Sequence, residues 1–178
     1  SGRHHEAMIR PATAADAVAM AAVEAEARAL LEAQGVHFDR LDLPEGFSEE
    51  MTWDLAVVAQ ELDRVVGMAR CSALTPTLLR LDQVSVSPAW SHRGIGSALL
   101  ATACDLARAA GYDQVTGTTF ADVAFNAPFY RRLGAREDAQ PHPEMVRRRK
   151  VERDLGLDQF GRRIIMRMDL GPEDQAAS

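Results

Sequence analysis

Six residues after Pro88 the chain reads Gly94-Ile95-Gly96-Ser97 and passes straight into its most regular apolar repeat. Leu99, Ala103, Leu106 and Ala110 recur at spacings of four and three before Gly111, which predicts an amphipathic helix with a glycine stop. Before Pro88, the segment Leu78–Val86 is apolar and β-rich, and proline cannot extend a paired strand. A strand, a glycine-rich turn and a helix in this order restrict the chain to an α/β design. The turn also leaves the first N–H groups of the helix unpaired at the positive end of its dipole, where phosphate is attracted. Gly94 and Gly96 present no Cβ, so an anion can approach the backbone, and His92 or Arg93 can add a side-chain contact. Leu99 stands where a dinucleotide fingerprint needs its third glycine, and no Gly-Lys-Ser/Thr ending makes a P-loop.

The elements around this unit follow from the same patterning. Met8-Ile9-Arg10 suits a short opening strand, and Thr13 with Asp16 resembles a capping box ahead of a helix carrying Met20, Val23, Ala27 and Leu30 on one face. Residues 36–51 hold Pro44, Gly46 and Ser48 without a sustained period and read as a loop. Residues 55–59 and 65–71 suit a hairpin across Glu61-Leu62-Asp63-Arg64. Gln114–Phe120 reads as a strand, and Asn126 reads as the cap of a short helix ending at Gly134. Residues 143–155 have helical composition with a basic face, and residues 163–170 alternate as a last strand.

At 178 residues the chain suits one domain able to bury close to 70% of its unfolded surface. The expected organisation is a domain over 7–170, an N-terminal stretch over 1–6 that is a tag remnant or a disordered end, and a disordered tail over 171–178. Cys71 and Cys104 lie in apolar segments without metal-ligand spacing, so they read as reduced, buried thiols suited to a cytoplasmic protein, with no metal expected. A net charge of −6 argues against a nucleic-acid surface, and no apolar run approaches the ~20 residues of a membrane helix.

Val84-Ser85-Val86-Ser87-Pro88, followed after five residues by Gly94-Ile95-Gly96-Ser97-Ala98-Leu99-Leu100, resembles the central motif of the GNAT superfamily of N-acetyltransferases. Phe129-Tyr130-Arg131-Arg132-Leu133-Gly134 resembles its second motif. The family pattern opens the turn with Gln or Arg, where this chain has Ser91. The resemblance implies a GNAT-type α/β fold, with a mixed, mostly antiparallel sheet of six or seven strands and helices on both faces. It implies acetyl-CoA as cosubstrate, its pyrophosphate over the backbone N–H groups of Arg93, Gly94, Ile95, Gly96 and Ser97 and its pantetheine arm beside Val84, Ser85 and Val86. That arm would lie between two parallel strands that splay apart, Leu78–Val86 and Gln114–Phe120. The resemblance also places Tyr130 near the sulfur as general acid and Asn126 near the pantetheine or adenosine.

Acyl transfer to an amine further needs a base and an oxyanion donor. Period-two counting from Val84 puts Asp82 on the same strand face and makes it the candidate base, acting directly or through water; pairing with an arginine such as Arg80, or plain solvation at a strand end, is the competing structural role. The Val84 N–H is the candidate oxyanion donor. Residues 36–51 carry Asp39, Asp42, Glu45, Glu49 and Glu50, which would draw a cationic amine or simply face solvent, while Phe47 and Trp53 suit a core or pocket wall. Arg147-Arg148-Arg149-Lys150 reads as a solvated helix with local ion pairs, or as a lid over the acceptor. The expected acceptor is a small-molecule amine. Lysine or N-terminal amines of proteins, and acyl-CoA sensing without catalysis, are the alternatives, and a homodimer is compatible with all three.

Overall fold

The strand, turn and helix expected around Pro88 form the middle of a seven-stranded sheet in the computed structural model, which describes residues 7–36 and 51–171. The strands are β1 (Met8–Pro11), β2 (Leu55–Glu61), β3 (Arg64–Ala73), β4 (Leu78–Val86), β5 (Gln114–Phe120), β6 (Arg136–Glu137) and β7 (Arg163–Asp169). Their spatial order is β1-β2-β3-β4-β5-β7-β6, and every neighbouring pair is antiparallel except β4 with β5. The helices are α1 (Ala17–Ala33), α2 (Ile95–Ala109), α3 (Ala121–Asn126), α4 (Pro128–Arg132) and α5 (Pro143–Asp154). This is the mixed, mostly antiparallel architecture expected from the sequence. Residues 1–6, 37–50 and 172–178, with the acidic segment and Phe47 assigned above, lie outside the described residues.

Alternation along β2 assigns the helices to faces. Ala56 and Val58 pack with Met20 and Val23 of α1, whereas Val57 and Ala59 pack with Ile95, Leu99 and Ala103 of α2. A further core joins α2, α3, α4 and β7 through Leu100, Cys104, Ala121, Phe129 and Met166. Thr13 and Asp16 do cap the entry to α1, for the Asp16 carboxylate accepts from the Thr13 N–H at 2.7 Å and pairs with Arg10 at 2.8 Å. The Arg10 hydrogen bond holds that carboxyl down at about 2. Leu30, expected on the apolar face of α1, is exposed. Trp53 packs against the α1 cluster, as a core residue should.

Two expectations are corrected. Asn126 ends α3 and does not cap the next helix; Ala127 is the N-cap of α4 and Pro128 follows at its first position, where a missing N–H costs nothing. Asp82 does not share a face with Val84 and Val86. Arg70 pairs with Gln83 and Cys71 with Leu81, so Asp82 is an extra, bulged residue that shifts the alternation by one. Asp82 therefore turns with Ser72, Arg80 and Gln83 toward the α1 side, and Val84 and Val86 turn toward α2.

The seat of α2 depends on Gly67 in β3. A Cβ there would lie 3.2 Å from Leu99 Cδ1, 3.3 Å from Ile95 Cγ2 and 3.3 Å from the Ser85 carbonyl oxygen. Gly67→Ala should lower stability by about 1 kcal/mol through overpacking, read as a reduced midpoint in urea unfolding with an unchanged slope.

Candidate active site

The chain leaves β4 with Ser87 still tied to the sheet, its N–H donating to Val66 O at 2.8 Å. One 3-10 turn over Pro88–Trp90 follows, and the Ser91 hydroxyl closes it on Pro88 O at 2.8 Å. Ser91 thus serves the turn itself. His92 and Gly94 then adopt left-handed φ values of 62° and 77°, which Gly94 adopts without steric cost and His92 less easily. Ala98 donates the first intrahelical bond to Gly94 O at 3.1 Å, so Ile95, Gly96 and Ser97 point N–H groups out of the helix start with no intrahelical acceptor. A Cβ on Gly94 or Gly96 would meet nothing within 4 Å, so this rim is open. The Ile95 side chain faces the core, while His92, Arg93 and Ser97 are exposed. The Arg93 guanidinium folds 4.6 Å over the Trp90 ring at the edge of the turn.

β4 and β5 pair only over Leu78↔Gln114, Leu79↔Val115 and Arg80↔Thr116. Beyond Arg80 the bulge at Asp82 turns β4 away, and the remainders of both strands diverge without further pairing. Gly117 stands at the crotch of this fork, where a Cβ would already touch Leu81 Cβ and Met166 Cε at 3.4 Å. Val84 is half-buried between the two α2-side clusters, and Ser85 is buried with its hydroxyl accepting from Gln83 Nε2 at 2.7 Å.

A cavity of about 420 Å³ fills the fork and continues on the α1 side, walled by α1, β3, β4, β5, α4, α5 and the start of β7. Asp82, Val84 and Tyr130 meet in it, whereas Asn126 and the glycine-rich turn lie outside its wall. Tyr130 packs edge-on to Phe129 at 5.6 Å, and its hydroxyl has no hydrogen-bond partner among the described residues. Burial, with Cys104 adding a smaller effect, pushes this phenol up to about 12. Burial likewise raises Cys104 to about 11 and Cys71 further, leaving both as protonated core thiols.

The Asp82 side chain is fully enclosed. It accepts from the Ser72 hydroxyl and from Arg80 Nε, with Arg70 Nη1 at 3.8 Å. Its expected pairing with Arg80 is therefore present. Arg70 reaches Glu24 of α1 at 2.7 Å, and Glu152 of α5 accepts from Thr118 at 2.7 Å and from Arg163 at 3.2 Å. Arg148, buried in the centre of α5, donates to Asp82 O at 2.7 Å. The basic run of α5 thus divides as the sequence allowed: Arg147 and Arg149 pair with Glu144 and Asp158, while Arg148 faces the cavity. Glu24, Arg70, Glu152 and Arg163 were not singled out from the sequence; a lone arginine inside the otherwise apolar run 65–71 was the available signal.

A family model for the acetyltransferase (GNAT) family matches residues 20–135. Among solved structures, the chain is similar to PaiA N-acetyltransferase from Thermoplasma acidophilum in complex with coenzyme A (TM-score 0.63, 15% identity, 93% of this chain and 99% of that one). It is also similar to the ribosomal-protein-S18-alanine N-acetyltransferase from Escherichia coli (0.56, 19%, 93% and 94%). The N-acetylglutamate synthase from Neisseria gonorrhoeae, complexed with coenzyme A and N-acetyl-glutamate, matches at 0.60 and 22% identity over 95% of this chain, which spans only 36% of that longer one. These likenesses establish a shared fold.

The Tyr130 environment has a measurable signature. Burial favours the neutral phenol in the folded state, so Tyr130 supports stability fully below pH ~10 and loses that contribution as pH rises toward 12. Ultraviolet titration should show a tyrosine ionising near 12, and Tyr130→Phe should remove that step.

Proposed function

The chain belongs to the GNAT acetyltransferase family, and from that premise we propose that it moves the acetyl group of acetyl-CoA to the primary amine of a small molecule. One observation carries this reading: a single fork between β4 and β5 has the open first turn of α2 on one side and a cavity lined by Tyr130 on the other. Coenzyme A bound in the similar structures named above supports the choice of donor.

The N–H groups of Ile95, Gly96 and Ser97 suit the pyrophosphate, because they lack intrahelical acceptors, sit at the positive end of a 15-residue helix and have an open rim before them. Arg93 and His92 stand at that rim with their side chains in solvent. The unpaired backbone beyond Arg80 offers main-chain groups to a pantetheine arm running beside Val84, Ser85 and Val86. Asn126 closes α3, whose Ala121 and Ala124 pack in one cluster with Leu100 and Cys104 of α2.

In the transfer step, the neutral amine nitrogen attacks the thioester carbonyl carbon, the Val84 N–H holds the developing oxyanion, and the carbon–sulfur bond breaks. Tyr130, kept protonated by burial, donates its proton to the departing thiolate. The Asp82 carboxylate is committed to Ser72 and Arg80, so water is the immediate acceptor of the amine proton, with Asp82 at the inner end of that path. The cavity, at about 420 Å³, has room for an amine of amino-acid size, which supports a small acceptor.

Thiol release from acetyl-CoA should depend on an added amine, and a folded protein that binds CoA yet releases none with any amine would refute the catalytic reading. Tyr130→Phe should lower kcat by about 100-fold while leaving CoA affinity within twofold, measured by steady-state kinetics and calorimetry. Gly96→Ala should leave the fold at least as stable, since alanine is the better helix former, and weaken CoA at least tenfold by filling the open rim.

A further inference from the structure

The buried face of α5 is charged at its middle. Met145, Arg148, Glu152 and the C-cap Leu155 form one stripe at spacings of three and four, and all four are buried. Enclosed charges of opposite sign, one turn apart, cost stability unless each meets a partner, and a helix that merely packs on a sheet has no need of them. Here each meets a different arm of the fork. Arg148 Nη2 donates to Asp82 O of β4 at 2.7 Å, and Glu152 accepts from Thr118 Oγ1 of β5 at 2.7 Å. Strand pairing ends at Arg80↔Thr116, so Asp82 and Thr118 are each the second residue beyond the last pair. At the level where the ladder lapses, one turn of α5 spans the gap instead. The β5 end is reinforced, for Arg163, opposite Phe120 in the register, donates to Glu152 at 3.2 Å and lies 4.8 Å over the Phe120 ring.

Resting on the acetyl-transfer reading above, we propose that α5 is a strap across the fork and that Arg148 and Glu152 are positioning residues for the transfer step. The two groups assigned to that step ride on different arms. Val84 lies two residues beyond Asp82 on β4, whereas Tyr130 follows β5 through α3 and α4. Their separation is set by how far the arms diverge, and the strap fixes it where no main-chain pairing does. An oxyanion donor and an acid held at one separation meet the carbonyl oxygen and the sulfur of the same thioester together. Neither Arg148 nor Glu152 needs to touch the reacting atoms for this.

A strap works only while both ends hold, and this separates it from two independent contacts. Thr118→Val cuts the β5 end and Arg148→Met the β4 end, while Met145 and Leu155 keep the helix seated. Each variant, assayed where its unfolding curve shows it folded, should lose tenfold or more in kcat with CoA affinity within threefold. The double variant should lose no more than the worse single variant, within twofold, and Arg148→Lys, which keeps a donor, should regain part of the loss. Losses that multiply in the double variant, or unfolding midpoints that fall with kcat unchanged, would overturn the proposal. A second measurement uses Thr118→Val alone, which leaves every charge in place. Hydrogen exchange should quicken at least fivefold across the fork, at residues 82–86, with β2 unaffected. A change confined to β5 and α5 removes the strap. Should no amine be acetylated, the transfer reading fails separately, and exchange at residues 82–86 still decides whether α5 joins the arms.

Discussion

The organisation of this protein depends on pairing that stops. β4 and β5 are the one parallel pair in the sheet, and their register ends at Arg80↔Thr116 after three residues. Parallel neighbours are normally buried beneath helices along their whole length. Here the inserted Asp82 bends β4 out of the ladder, and the two strands diverge while α2 holds one face and α1 with α5 the other. Main-chain groups that the ladder would have consumed are thereby left for a ligand, and the space between the strands becomes the cavity.

The bulged residue also carries a structural load. Its carboxylate gathers Ser72, Arg80 and Arg70 on one side, and its carbonyl takes Arg148 from α5 on the other. A buried carboxylate with these partners fixes the shape of the wall at the point where the sheet loses its own hydrogen bonds. Removal of one charge from such a group leaves others unpaired in a low-dielectric setting, so the carboxylate of Asp82 is held in place by its partners and is not a free group of the wall.

Legibility in the sequence followed the range of the interactions. Leu78–Val86 and Gln114–Phe120 have the ends that composition and Pro88 or Gly111 implied, and α2 begins one turn before its first periodic leucine, because these elements are set by local periodicity and punctuation. The family motif located the turn and Tyr130 for the same reason. The face of Asp82 was misread, since period-two counting has no means of detecting one surplus residue that only a partner strand defines. The break at Ala127 was missed, Asn126 being an equally good cap by type. The arginines of the cavity were illegible as a group, because α1, β3, α5 and β7 each contribute one and only the fold brings them together.

The three-residue seam at the centre of the sheet makes this molecule two antiparallel plates, β1 to β4 and β5 with β7 and β6, joined along a short edge and by the helices packed across it. Each plate has its own ladder, so sub-global opening has a natural boundary there, where β4 and β5 share no hydrogen bonds beyond Arg80 and Thr116. A ligand that pairs with both arms completes the ladder that the chain leaves unfinished. Its binding free energy then enters directly into the cooperativity between the plates, and the ligand behaves as an eighth, removable strand.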